Sequence, residues 1–409
     1  MRRVILLSII WGMALNATAQ VHPASGSRIQ VSSLQVQGMG GAGVAFPMPH
    51  TALYYNPALI PYVSVHPAPL LFIGLQMNLS TNLRANRSFY HDRLEPALEL
   101  GLENLEDDER RQLYADMFHM SRQASVVRSY LPLMSFVLNR GDYGFGGGFF
   151  LHGDFTYQVE DVGTDVPWVH MEGVSDIAAM VSGAVRLVKL GLVDVSVGAA
   201  AKYTQRFVTV KDATVEDLDD GESVYMYRDG MLAFDLGVIG QVKLPVPGTL
   251  YLGATISDLA VGDFDYRFSL YWVRHKTETE LNQEVTAIEV AQARQRFQLV
   301  QTYRVGVAYV LPVRGGRSET AFAMDYIYTA DQADELSWIE HLAIGLQTKI
   351  GKQLAIRGGL HQGLLTMGAG LYLGDVIQID YAYFEREYGP VSGQGSRWHH
   401  GLRVSVGNF

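Results

Sequence analysis

The chain has 409 residues, with 32 Lys and Arg against 42 Asp and Glu, a net charge of -10, and no cysteine. Lacking cysteine, it can carry no lipid-modified N-terminal Cys, disulfide scaffold or thiolate metal site, and an acidic balance without clustered Lys and Arg speaks against a nucleic-acid partner. With 42 Gly, 22 Tyr and only 18% charged residues, the composition suits a sheet protein with one wet and one greasy face.

Residues 1–19 read as a signal peptide: Arg2 and Arg3, an apolar stretch from Val4 to Leu15, and Ala17-Thr18-Ala19 as the cleavage site. The mature chain is expected to begin near Gln20. The apolar stretch is too short for a spanning helix, and no later segment approaches the roughly 20 apolar residues one requires.

Residues 20–66 are expected to form an N-terminal plug. They lack clean alternation and gather Pro47, Pro49, Pro57 and Pro61 with Gly38, Gly40, Gly41 and Gly43. Glycine allows close backbone approach and unusual dihedrals, and Asn56-Pro57 favours a turn. Irregular backbone is tolerated at membrane depth only where protein or water surrounds it. Gly40, Gly41, Gly43, Asn56, Pro57 and Ala58 are therefore the candidate gate residues.

Residues 67–409 are expected to form an all-β transmembrane antiparallel barrel, because the pattern has period two from Leu70 onward. One face carries Tyr143, Phe145, Phe149 and Phe155, then Leu232, Phe234, Leu236 and Val238, then Phe322, Met324, Tyr326 and Tyr328. The other carries Gly144, Gly146, His152 and Asp154, then Ala233, Asp235 and Gly237, then Ala323 and Asp325. A soluble sandwich would show Lys, Glu and Thr on its polar face; small residues and isolated charges suit a lumen whose outside meets lipid.

The predicted strands run near 70–80, 126–139, 143–158, 174–189, 191–210, 229–244 and 248–259 in the first half. The second half runs near 296–312, 318–329, 338–350, 352–361, 364–373, 375–387 and 396–409. This gives about fourteen, an even number as bacterial single-chain barrels have. Long connections at 81–125, 211–228 and 260–295 fall on one side, and tight Gly- and Pro-bearing turns fall on the other, the exception being the connection near 361–363, which is short although on the external side. Two of the long loops read as partly helical, one through Leu94, Leu98, Leu102, Leu105, Leu113 and Met117, the other across 276–297. They would cap the barrel mouth or gather greasy ligands.

The runs Met39-Gly40-Gly41-Ala42-Gly43-Val44-Ala45 and Ala52-Leu53-Tyr54-Tyr55-Asn56-Pro57-Ala58-Leu59 resemble the FadL family of outer-membrane transporters for hydrophobic compounds. The resemblance implies a fourteen-stranded barrel with an N-terminal hatch and passive uptake of molecules such as long-chain fatty acids. Ligand would enter among the external loops and leave when the plug or a gap in the wall shifts. Phe46-Pro47-Met48-Pro49-His50 departs from the family, which has acidic residues there, and Phe409 sits on the opposite parity from Leu402, Val404 and Val406.

Inward parity is assigned to Asp194, Lys202, Asp235, Arg304, Asp325, Lys349, Arg357, Asp380 and Arg386. Paired across a wet lumen they are structural, with Arg304 and Arg357 the candidates to meet a ligand carboxylate. His399-His400, His361 and His341 lack metal-site spacing and are assigned to the surface or the barrel rim. Asp217-Leu218-Asp219-Asp220-Gly221-Glu222 fails calcium-loop spacing. No cofactor or metal is expected, and with no Gly-x-Ser-x-Gly and no evident Ser/His pair, no enzyme.

The expected partners are a hydrophobic small molecule or lipid and the outer membrane of a Gram-negative-type bacterium. The alternative is a non-transport scaffold, a partner in a secretion or surface-attachment complex. An apolar cavity between plug and lumen would favour transport, and a lumen filled by paired charges would favour the scaffold.

Overall fold

The computed structural model describes residues 33–63, 70–120, 125–160, 165–215, 226–269, 297–313, 318–330, 338–374, 376–386 and 397–407. The leader, the acidic run 217–222, Phe409 and, but for Phe297, the helical reading of 276–297 lie outside the described residues.

The strands are β1 (Leu70–Ser80), β2 (Ser125–Asn139), β3 (Tyr143–Glu160), β4 (Trp168–Lys189), β5 (Val193–Thr214), β6 (Met226–Lys243), β7 (Thr249–Ala260) and a short β8 (Arg267–Ser269). They continue as β9 (Thr302–Val313), β10 (Ser318–Thr329), β11 (Leu342–Ile350), β12 (Leu354–His361), β13 (Leu364–Leu373), β14 (Ile377–Arg386) and β15 (Arg397–Gly407). All 15 share one sheet. Fourteen of them close an antiparallel barrel in chain order, β15 returning to β1 with Phe72 opposite Gly407 and Ser80 opposite His399; β8 only extends the tip of β6.

Alternation sorts the side chains. Leu71, Ile73, Phe145, Phe149, Ile177, Leu236, Phe322 and Leu402 stand exposed outside, while Phe72, Gln76, Asp176, Asp235, Asp325, Asp380 and Arg403 are buried inside. An apolar exterior on a closed barrel, with no unpaired sheet edge, is the arrangement that lipid permits. The chain is an outer-membrane-type β-barrel.

The wall is uneven. β11 to β14 have 9, 8, 10 and 10 residues, about the number that a tilted strand needs to cross a bilayer. β3 to β6 have 18, 22, 22 and 18. The tight turns 140–142, 190–192 and 351–353 share one end, so the excess height projects from the other. Gly141 marks why such turns need glycine: its φ is +85°, although a side chain there would meet open space.

Helices Leu83–Phe89, Glu95–Leu100 and Asp107–Met120 follow β1, with acidic Asp107, Asp108 and Glu109 opening the last of them. Leu94, Leu113 and Met117 pack with Val159 and Val169, which share the parity of the outward-facing Phe155 and Ile177. This helical layer therefore covers the outer face of the tall wall rather than its mouth. It also explains why β4 begins at Trp168 rather than near 174, since its first turns of chain meet protein and not lipid.

The β1–β2 ladder breaks between the pairs Phe72–Ser135 and Gln76–Tyr130. Pro132 lies in the break, has no N–H to donate, and flanks a bulge where Leu133 and Met134 are both exposed.

Candidate functional site

Residues 33–63 fold inside the barrel as two short helices, Leu34–Gly38 and Pro49–Tyr54, and a 3₁₀ turn, Pro57–Tyr62. Pro49 and Pro57 open their elements, where a missing N–H costs nothing, and the Asn56 side chain caps the turn by accepting from Ala58 N at 3.0 Å. The plug's backbone bonds close on itself, as in Gly41 N to Val36 O (2.8 Å), Tyr55 N to Thr51 O (2.9 Å) and Leu59 N to Asn56 O (3.0 Å).

The wall reaches the plug through side chains. Asp325 accepts from Gly43 N at 2.7 Å and Val44 N at 2.9 Å, two consecutive amides on one carboxylate oxygen. Gly40 N donates to Thr366 Oγ1 at 2.9 Å, and His361 Nδ1 lies 3.1 Å from Gly40 O. Asn56 Nδ2 donates to Val44 O at 3.0 Å and to Val238 O on β6 at 3.2 Å, so one side chain ties both halves of the sequence motif to each other and to the barrel.

Glycines on the wall make the approach possible. A Cβ built on Gly198 would lie 2.5 Å from Ala58 N; on Gly253, 2.8 Å from Val44 O; on Gly359, 2.6 Å from Gly40 N. Gly237 meets Asn56, Gly345 meets Met39 and Gly144 meets Ile60 in the same way. Sequence reading places Gly144 and Gly237 on the inner face but not against the plug, and leaves Gly253, Gly345 and Gly359 unassigned; the pairing of Gly198 with Gly237 and of Gly345 with Gly359 shows that they share levels of successive strands. Gly40 itself has φ +66° and presses on the backbone of Leu360, so no other residue fits there.

At the opposite side of the plug, Arg403 is buried and bonds three ways: Nε to Ser405 Oγ (2.8 Å), Nη1 to Ser33 Oγ (3.0 Å) and Nη2 to the His50 ring. Burial, with Arg403 beside it, holds the His50 imidazole well below its ordinary range, so the ring is neutral and accepts. Arg403 is missing from the inward charges read from the sequence, although the outward parity of Leu402 and Val404 is a signal that places it there; its plug partner was not readable.

Outward of the plug is a small cavity of about 60 Å³, partly open to solvent, lined by Tyr54 and Tyr55 of the plug and by Phe150, Met180, Lys202, Asp235, Asp258 and Arg304 of the wall. Lys202 Nζ stands 2.7 Å from both Asp235 and Asp258. Asp258 has φ +60° at a bulge in the β6–β7 ladder, and its N–H donates to Asp235 at 2.8 Å. Arg304 lies over the Tyr55 ring, 5.1 Å from its centre. Burial pushes the Tyr55 hydroxyl up to about 12, against the pull of Arg304, so it stays neutral.

The described ends of the connection between β7 and β9 are held by a second cluster. Arg206 is bidentate to Asp176 (3.0 Å each), donates to Phe297 O at 2.7 Å and lies under Phe264; Tyr266 also donates to Phe297 O, at 2.8 Å. These groups pack with Val174, Val208 and Met231 inside the lumen.

The two arginines proposed for a carboxylate differ in setting. Arg304 faces the cavity, whereas Arg357 is held by Asp380 (2.9 Å), Gln347 (2.7 Å) and Tyr372 (3.0 Å) beneath it. Lys349 is half-buried on inward parity, and the Arg386 side chain lies outside the described residues. His400 is exposed and bonds Tyr381 at 2.7 Å, His399 stacks on Phe384, and His341 lies 2.7 Å from Ile327 O. Arg128–Asp154 joins the other ion pairs, so the lumen holds both paired charges and a cavity.

No protein-family profile and no curated protein matches the chain by sequence. In structure it is similar to the Ralstonia pickettii toluene transporter TbuX, at 12% identity over 94% of this chain and 98% of that one, TM-score 0.45. It is similar also to the Pseudomonas putida toluene transporter TodX (11% identity, 96% and 100%, TM-score 0.45) and to a Pseudomonas aeruginosa FadL homologue (11%, 93% and 98%, TM-score 0.43). The closed ladder of this chain establishes the barrel by itself.

Proposed function

We propose that the protein is an outer-membrane channel, in a Gram-negative-type bacterium, for passive uptake of hydrophobic small molecules, with residues 20–66 as its movable gate. One observation carries this reading. Among the described residues, 33–63 are docked into the barrel by side-chain bonds and glycine contacts and are not woven into the sheet, and a cavity lies directly on their outer side. A segment whose backbone bonds are internal can shift as a unit without opening the wall.

The cavity joins apolar surface from Phe150, Met180 and Tyr54 to Arg304, with Lys202 already neutralised by Asp235 and Asp258, and the compact polar head of an amphipathic ligand such as a long-chain fatty acid would be met at Arg304. Arg304 is the group assigned to the head. Gly40, Gly41, Gly43, Asn56, Pro57 and Ala58 hold the gate. Ligand leaves past the shifted plug or through a gap in the wall such as the broken β1–β2 ladder around Pro132.

The test is uptake in a deletion strain carrying wild type or Arg304→Ala, with lipids co-purifying with the protein identified by mass spectrometry. Arg304→Ala is expected to lower uptake of a labelled fatty acid and spare an uncharged hydrocarbon. Finding neither bound lipid nor altered uptake would favour the second reading, a non-transport scaffold, to which the ion pairs Arg206–Asp176, between neighbouring strands, and Arg357–Asp380, across β13, lend support.

A further inference from the structure

The plug carries a group that nothing above uses chemically. His50 sits in its second helix, against a buried guanidinium. Each direction in which Arg403 donates ends on a neutral acceptor: Ser405, Ser33 and His50. The nearest carboxylate, Asp380, already receives Arg357 at 2.9 Å and Gln378 at 2.6 Å. A buried cation without its own countercharge depends on every acceptor it has.

The geometry points to His50 as an acid-sensitive latch: the plug stays docked while the ring is a neutral acceptor for Arg403, and is released when the ring takes up a proton. Protonation turns the acceptor into a second donor aimed at a donor, and places two positive charges in one buried layer. The carboxylate that faces the pair, Asp380 opposite Arg403 in the β14–β15 ladder, already holds Arg357 and is the countercharge for both guanidiniums. β1 presents the Phe72 ring, 4.5 Å from the imidazole; β2 presents Tyr130; β13 presents Tyr372, bonded to Arg357; β14 presents Asp380, already engaged; the plug presents Ser33 and Tyr54, the latter 2.9 Å from Ser135.

The sign follows from linkage. The docked ring is held below the ordinary imidazole value and the undocked one is not, so docking is strongest above about pH 6.5 and weakens as pH falls toward the docked value. For one proton the docking equilibrium shifts about tenfold per pH unit in that window. Asp325, at Gly43 and Val44, and His361, at Gly40 O, are titratable groups that also grip the plug, and each must be tested separately, His361 by His361→Asn.

This inference rests on residues 33–63 being a movable plug, but not on what the channel carries. The measurement is conductance of the full-length protein in planar bilayers from pH 7.5 to 4.5, with hydrogen exchange of 33–63 corrected for intrinsic rate, and heat-modified gel migration to confirm an intact barrel. Wild type is expected to open about tenfold more per unit below pH 6.5. His50→Asn keeps an acceptor and cannot titrate, and is expected to be flat; His50→Gln serves if that variant does not fold. Asp325→Asn is expected to loosen the plug at neutral pH and keep the slope. A wild type without acid response, a His50 variant with the wild-type slope, or a slope abolished by Asp325→Asn alone overturns the latch. Loss of transport with the slope intact leaves the latch standing.

Discussion

Gly198→Ala tests the docking geometry with a single carbon. The new Cβ would stand 2.5 Å from Ala58 N, 2.6 Å from Pro57 C and 2.9 Å from Ala58 Cα, where ordinary contact begins at 3.4 Å, so plug and wall must part by about 1 Å. Neither side yields easily. Gly198 is paired on both flanks, with Ala184 and Gly237, and Ala58 N is committed to the Asn56 cap. Overpacking of this kind costs about 1–3 kcal/mol, a shift of about 5- to 150-fold in the docking equilibrium. The plug gives way first, because its attachments are a few side-chain bonds while the barrel has ladders on every strand. The assays are bilayer conductance and sensitivity of cells to a large antibiotic that an intact outer membrane excludes. Gly183→Ala is the control, since its Cβ faces outward and meets only the Phe145 ring at 3.6 Å. Equal conductance in wild type and Gly198→Ala, or an equal rise in the control, would refute the reasoning.

Asp380→Asn leaves Arg357 buried without a countercharge and should cost about 3–5 kcal/mol of barrel stability in urea unfolding, with the double Arg357→Met, Asp380→Leu variant less affected. Asn56→Ala removes the cap and both tethers, and should raise hydrogen exchange across 43–63 by the equivalent of about 1–3 kcal/mol while heat-modified migration stays normal. Arg206→Lys keeps the charge but cannot hold Asp176 at two oxygens and Phe297 at a third, so exchange should rise at Phe264 and Tyr266 and stay unchanged in the plug.

Most of the barrel is legible without coordinates. The strands 70–80, 318–329 and 364–373 are read to the residue, and the parity of Phe322 and Met324 orients Asp325 correctly, because alternation is a property of a few consecutive residues. The plug's glycines and Asn56-Pro57 are legible for the same reason, as local conformational requirements. What alternation does not specify is what each inward side chain meets. Arg403 and His50 are 353 positions apart, Gly43 and Asp325 282, and the Asp258 bulge that completes the Lys202 pair is an irregularity that period two hides. The helices after β1 are readable from leucine spacing, yet their seat on the outer face of the tall wall depends on how far β3 and β4 rise above their neighbours. By itself the sequence determined which face of each strand is wet and where the chain turns, since sterics and solvent act residue by residue. The closure and stagger of the barrel alone decided which wet residues share a level, and so which hold the plug, line the cavity or stand against His50.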